Sequence, residues 1–256
     1  GNTTAGTDGS WTFADPDTLS EGSYVYTATA TDRAGNESVR SLSFKSVVDT
    51  ISPNSPSNFV ITPDTGPFID SVTNIAAPRF SGFAEPGSFV DVMLGTETVG
   101  RAIADNRGRW NIDLAALPDG DHLLLIRSTD LAGNESVIAQ HHLVVDTVAP
   151  ASANITKLYE DSGEDAADGI TNAKRLTLEG TGAPGTYINI TRNGAKFGKT
   201  QVGSDGTWKL DGTNIELLDG RSAFAAIATD LAGNSAQASA DFLVIIDTRA
   251  PLAPRT

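Results

Sequence analysis

One polar phrase is written three times in this chain, and its spacing constrains the architecture more than any local pattern. It reads TDRAGNES at 31–38, TDLAGNES at 129–136 and TDLAGNSA at 229–236. Other landmarks keep the same period. Trp11, Trp110 and Trp208 recur at intervals of 99 and 98, and the Asp-Thr pairs that begin at Asp49, Asp146 and Asp247 recur at 97 and 101. A period near one hundred is the size of a small domain, not of a solenoid unit. The chain therefore reads as beads on a string: the C-terminal half of one repeat at 1–49, complete repeats at 50–146 and 147–247, and a linker at 248–256. With no charged and apolar leader at Gly1, it also reads as part of something longer.

Within each repeat, apolar residues alternate with period two, and short runs are cut by Gly, Pro, Asn and Asp. In the second repeat this predicts strands near 57–61, 78–84, 88–94, 99–104, 109–114, 122–129 and 137–145. Seven short strands in about a hundred residues, with no helical periodicity, predict an all-β fold: tandem immunoglobulin-like antiparallel sandwiches. Lettering the strands A to G, the alignment of repeats puts Tyr26, Leu124 and Phe224, then Ala28, Ile126 and Ala226, on the inner face of F. Phe44, His141 and Phe242 share one position on G, and the three Trp open strand E as core anchors. The turns before F read LSEGSY, LPDGDH and LLDGRS, so Tyr24 fits a tyrosine corner, with His122 and Ser222 in the same slot.

The formal net charge is −14, which disfavours a nucleic-acid partner. No apolar run is long enough to insert in a membrane. There is no cysteine, so no disulfide supports the fold. No GxSxG, HExxH or phosphate-loop pattern occurs, and no Ser, His and Asp stand together as a triad, so the chain reads as non-enzymatic. His141 and His142 are neighbours on a strand and face opposite ways, so they cannot hold one ion together.

The phrase lies between F and G, at the leading end of its repeat. A second acidic segment, PDTGPFIDSVTN at 63–74 and EDSGEDAADGITN at 160–172, lies between A and B at the trailing end. At the junction between the second and third repeats, Asp64 and Asp70, the linker residue Asp146, and Asp230 with Asn234 are predicted to converge. Packed carboxylates repel unless protonated or bridged by a cation. Ca²⁺ takes six to eight oxygens from carboxylates, amides, carbonyls and water, and the Asp-Asn-Gly composition can supply them. The absence of Cys and the presence of only three His argue against zinc or copper. Asp32, Asp130 with Asn134, and Asp230 with Asn234 are thus candidate ligands in the phrase. Turn formation through side-chain to backbone bonds is the competing reading of the same residues. Glu21, Asp119 and Asp219 before F, and Asp105 and Asp205 before E, read mainly as turn formers.

The ordered run DTG, D-x-x-TN, FAEPG or TGAPG, GxW, LxDG, ATDLAGN and VDTxxP resembles the bacterial immunoglobulin-like repeats of giant secreted adhesins, over nearly the whole chain. The resemblance implies a rod of tandem sandwiches, type I secretion, display at the cell surface, monomeric state, and partnership with neighbouring repeats and with a host glycan or receptor. It also implies calcium ligation by Asp49, Asp64, Asp70, Asp130, Asp146, Asp161, Asp168, Asp230 and Asp247. The 160–172 loop carries an insertion that leaves Asp161, Asp165 and Asp168 as alternatives for two positions. A carbohydrate-binding module contacting host glycans is the other functional expectation, and it requires an exposed aromatic platform.

Overall fold

The computed structural model describes residues 1–253, and the last three positions of the 248–256 linker lie outside the described residues. All regular structure among the described residues is β. The second repeat contains β3 (Ser57–Thr62), β4 (Val72–Thr73), β5 (Arg79–Phe83), β6 (Phe89–Leu94), β7 (Glu97–Ile103), β8 (Arg109–Asp113), β9 (Gly120–Thr129) and β10 (Ala139–Val145). The third repeat contains β11 (Asn154–Leu158), β12 (Ile170–Thr171), β13 (Thr177–Thr181), β14 (Tyr187–Arg192), β15 (Ala195–Gln201), β16 (Thr207–Asp211), β17 (Gly220–Thr229) and β18 (Phe242–Ile246). Each complete repeat is a three-stranded sheet, β3-β5-β8 or β11-β13-β16, facing a five-stranded one, β4-β10-β9-β6-β7 or β12-β18-β17-β14-β15.

The seven expected strands are all present, with one addition. The short β4 and β12 pair in parallel with β10 and β18, through Val72↔Val144 and Ile170↔Ile245. The chain thus leaves the small sheet after β3, crosses the trailing end of the sandwich, and joins the large sheet beside its last strand. That crossing is the A–B loop, and it explains why an acidic segment lies at the trailing end.

Alternation predicts the core well. Leu124, Ile126, Phe224 and Ala226 are fully buried, as are Val90, Val92, Ile188 and Ile190 on the neighbouring strands. Trp110 and Trp208 are buried in their respective cores. Gly82 and Gly180 make room for the two indoles: a methyl on either would lie 2.7 Å from Trp110 or 2.3 Å from Trp208. His141 is half-buried against Phe59 and Phe80, with ring centroids 5.6 and 5.3 Å away. Burial holds its imidazolium form disfavoured, with the neighbouring His142 charge adding to the effect.

The half repeat departs from the expectation. Only β1 (Gly22–Tyr26) and β2 (Phe44–Val48) form, as one antiparallel hairpin pair. No strand forms at Trp11, which is 55% exposed, and Phe44 is 69% exposed. The reason is pairing. In the complete repeats the Trp strand bonds to β5 or β13, and residues 1–49 contain no equivalent of those strands. Without an opposing sheet, the alternating pattern has no interior to face. The corner nevertheless forms: the Tyr24 hydroxyl donates to Ser20 O at 2.8 Å. His122 does the same through Nε2 to Pro118 O at 2.7 Å. The shorter Ser222 cannot reach, and its hydroxyl accepts from Arg192 Nε instead.

Candidate functional site at the repeat junction

The recurring phrase is a five-residue turn closed on itself. In TDLAGNES, Asp130 Oδ1 accepts from the amides of Ala132, Gly133 and Asn134 at 2.8–2.9 Å, while Asn134 Nδ2 donates to Asp130 Oδ2 at 2.8 Å. Asp32 and Asn36 repeat the arrangement, and so do Asp230 and Asn234. The glycine sits at positive φ, +97° at Gly133 and +92° at Gly233, which lets the backbone fold back toward the Asp. Bonds from the Asn side chain and the turn amides hold the Asp32 and Asp130 carboxyls below the usual carboxylate range. Turn chemistry therefore engages both carboxylate oxygens of Asp32, Asp130 and Asp230, the acids that the phrase offers as ligands.

The Asn has a second partner that lies in the preceding repeat. Asn134 Nδ2 donates to the Asp49 carbonyl at 3.0 Å, and Asn234 Nδ2 donates to the Asp146 carbonyl at 2.7 Å. The trailing A–B loop also reaches across: Thr65 Oγ1 donates to Ala232 O at 2.5 Å. Thr65 of the A–B loop, the Asp146 carbonyl of the linker and the F–G turn thus meet between the second and third repeats.

The acidic loops share one geometry. Asp64 Oδ2 accepts from the Ser71 amide at 3.1 Å, and Asp161 Oδ2 accepts from Gly169 at 3.0 Å. Asp70 and Asp168 each take the amide two residues on, at 3.2 and 2.8 Å. Asp161 therefore stands where Asp64 does, and Asp168 where Asp70 does, while Asp165 bonds the Ala167 amide within the insertion. The other oxygens, Asp64 Oδ1 and Asp161 Oδ1, are buried and have no hydrogen-bond partner. The linker carboxylates Asp49, Asp146 and Asp247 each cap the amide two residues on, at 3.0–3.1 Å. Among the described residues, no three His, Cys, Asp or Glu side chains are gathered so that they could hold a metal ion. Each of the four carboxylates expected at this junction, Asp64, Asp70, Asp146 and Asp230, accepts a backbone amide of its own segment.

Sequence reasoning undervalued the acids that precede F. Asp119 binds Thr147 through both its amide, at 3.1 Å, and its hydroxyl, at 2.9 Å. Asp219 holds the Thr248 hydroxyl at 2.9 Å, and Glu21 holds the Thr50 amide at 2.7 Å. These bonds tie the start of each linker to the domain it leaves. The signal was available: the acid and the Thr of the Asp-Thr pair keep a separation of 28 or 29 residues in all three copies.

Among curated proteins, bacillopeptidase F of Bacillus subtilis (strain 168) is 28% identical over 170 residues, covering 66% of this chain and 11% of that protein. The chain therefore spans about a ninth of that relative's length. Among solved structures, the fibronectin(III)-like modules of Clostridium thermocellum CbhA align with TM-score 0.48 and 12% identity, covering 78% of this chain and 100% of that one. A tetra-tandem repeat from the extending region of a large adhesion protein aligns over 96% of this chain and 62% of its own, with 24% identity and TM-score 0.32. The bacterial Ig-like domain family matches residues 1–50, 53–147 and 149–248, and this chain, with its three copies of the same closed turn, belongs to it.

Proposed function

We propose that this chain is a rod-like spacer segment of a bacterial surface adhesin, exported by type I secretion and stiffened at its junctions by calcium. The proposed parent resembles the giant non-fimbrial adhesin SiiE of Salmonella. The observation that carries the calcium reading is the pair of buried carboxylate oxygens without partners, Asp64 Oδ1 and Asp161 Oδ1, at equivalent places in the two trailing loops. A buried anionic oxygen with no donor is costly, and a cation relieves that cost. The donor set is all oxygen, which suits calcium and not a thiol- or imidazole-seeking metal. Asp64, through its free Oδ1, would anchor the ion between repeats two and three, and Asp70, Asp146 and Asp230 with Asn234 would join it by turning away from the backbone amides they cap without metal. Asp161, Asp168 and Asp247 would hold an ion at the trailing end of repeat three. Asp49, Asp130 and Asn134 would contribute between repeats one and two, and Asp32 at the leading end of the first. Bound there, calcium supplies positive charge that cross-links the trailing loop, the linker and the next turn. The chain's own residues do the rest: Asn234 and Thr65 bridge the repeats directly, and Asp119 fixes the linker.

The glycan-module reading loses its best platforms in the two complete repeats. Trp110 and Trp208 are buried, and the Tyr159 and Tyr187 rings each carry a lysine ammonium 3.9–4.5 Å from the centroid. Calorimetry tests the calcium proposal. Extracellular sites bind calcium with Kd of roughly 10⁻⁴–10⁻³ M. Ligand at about 100 Kd then adds on the order of 2.7 kcal/mol per site. Asp146→Asn is expected to reduce calcium uptake by titration, and Asp205→Asn is not. Identical melting in calcium and in chelator would remove the metal from the proposal.

A further inference from the structure

At the junction between repeats two and three the two backbones touch through glycine. A methyl built on Gly66 (φ +96°) would lie 2.0 Å from the Leu231 carbonyl oxygen, and one built on Gly233 (φ +92°) would lie 2.8 Å from the Gly66 nitrogen. Beside this contact, Thr65 Oγ1 donates to Ala232 O at 2.5 Å. The effect on exposure is visible by comparison with the preceding copy of the turn. Leu231 is 44% exposed where Leu131 is 83%, and Ala232 is 1% exposed whereas Ala132 is open to solvent.

We infer that the Thr65-Gly66 tip and the Ala232-Gly233 turn form a direct docking interface between consecutive repeats. The partner that such a tip fits is an Ig-like repeat carrying an Asp-x-Ala-Gly-Asn turn. The interface deepens the rod reading above, on which it rests, but its contacts involve no metal. Thr65 supplies the only hydroxyl at the tip, and its own orientation is set from behind, because it accepts the Asn74 amide at 2.7 Å. Glycine at both contact positions lets main chain approach main chain, which aligns the carbonyls of Leu231 and Ala232 with the tip.

The same chain displays both halves of the interface unengaged. Ser162-Gly163 repeats the tip: Ser162 Oγ accepts the Asn172 amide at 2.9 Å, and Gly163 has φ +107° with nothing within 4 Å of a built methyl. Ala132-Gly133 repeats the turn, with Gly133 at φ +97° and again nothing within 4 Å. These two glycines carry the same backbone strain as Gly66 and Gly233 without the contact, so they are internal controls.

A methyl at Gly66 has to move from 2.0 Å to ordinary contact, which begins at 3.4 Å, an opening of 3.4 − 2.0 = 1.4 Å. Pivoting on the linker across a sheet-to-sheet width of ~10 Å, that opening tilts the repeats by roughly 8° and swings the far end of a ~35 Å sandwich by about 5 Å. The chain has no cysteine, so spin labels at Asn111→Cys and Asn214→Cys report the distance across the junction by pulsed dipolar spectroscopy. The expected result is a mean distance shifted by about 5 Å, or a distribution broadened by as much, in Gly66→Ala and Gly233→Ala. Gly163→Ala and Gly133→Ala are expected to overlay the parent, and circular dichroism on all four reads folding. Gly66→Ala overlaying Gly163→Ala, in calcium and in chelator alike, overturns the interface. Loss of the calcium reading is seen separately, as a parent distribution that does not change between the two conditions.

Discussion

Asn234→Ala separates what the recurring turn does for its own repeat from what it does for the neighbour. The substitution removes two bonds: Nδ2 to Asp230 Oδ2 at 2.9 Å, within the turn, and Nδ2 to the Asp146 carbonyl at 2.7 Å, across the linker. A neutral amide–carbonyl bond contributes about 1 kcal/mol net, and one to a carboxylate about 1.5–3 kcal/mol. The site is partly open to water, so the expected total is roughly 2–3 kcal/mol. At ~4–8 °C per kcal/mol for a domain of this size, the melting temperature of repeat three should fall by roughly 10–20 °C. The decisive comparison is with repeat three alone, which has its own closed core of Leu178, Ile188, Ile190, Trp208 and Phe224. There the interrepeat bond is already absent, so the same substitution should cost about 1 kcal/mol less. Denaturant titration of both contexts measures the difference. Equal losses would refute the assignment of any stability to the bond between Asn234 and Asp146.

The two core tryptophans should respond unequally to replacement by Phe. Trp208 Nε1 donates to Thr181 O at 3.1 Å, whereas Trp110 Nε1 is buried without a partner, so Trp208→Phe should cost about 1–3 kcal/mol more than Trp110→Phe by chemical denaturation. His141, depressed by burial, favours its neutral form in the fold. Its contribution is complete above the unfolded value near 6.5 and is lost as pH falls below it, so His141→Phe should flatten the acid side of the stability profile of repeat two. A profile with unchanged slope between about pH 6.5 and 5 would count against it.

The sequence by itself determined the period, the strand positions and the inner face. Alternation and the Gly-containing turns are local, and they place Leu124, Ile126, Phe224 and Ala226 inside without knowledge of any partner strand. The closed Asp-x-Ala-Gly-Asn turn was legible too, because all its bonds span four residues or fewer. Pairing across distance was not. Alternation cannot say that Trp11 lacks a strand to bond, or that β4 joins β10 in parallel, since both depend on which strands are present to receive them. Composition suggested that the carboxylates pool at the junction. Composition could not say that these Asp also take backbone amides two to eight residues away, because that depends on how each loop closes. Only the tertiary structure brought the Asn234 amide to a carbonyl 88 residues earlier, because a hydrogen bond of 2.7 Å needs two domain ends set to a fraction of an ångström. A one-dimensional pattern carries no such coordinate.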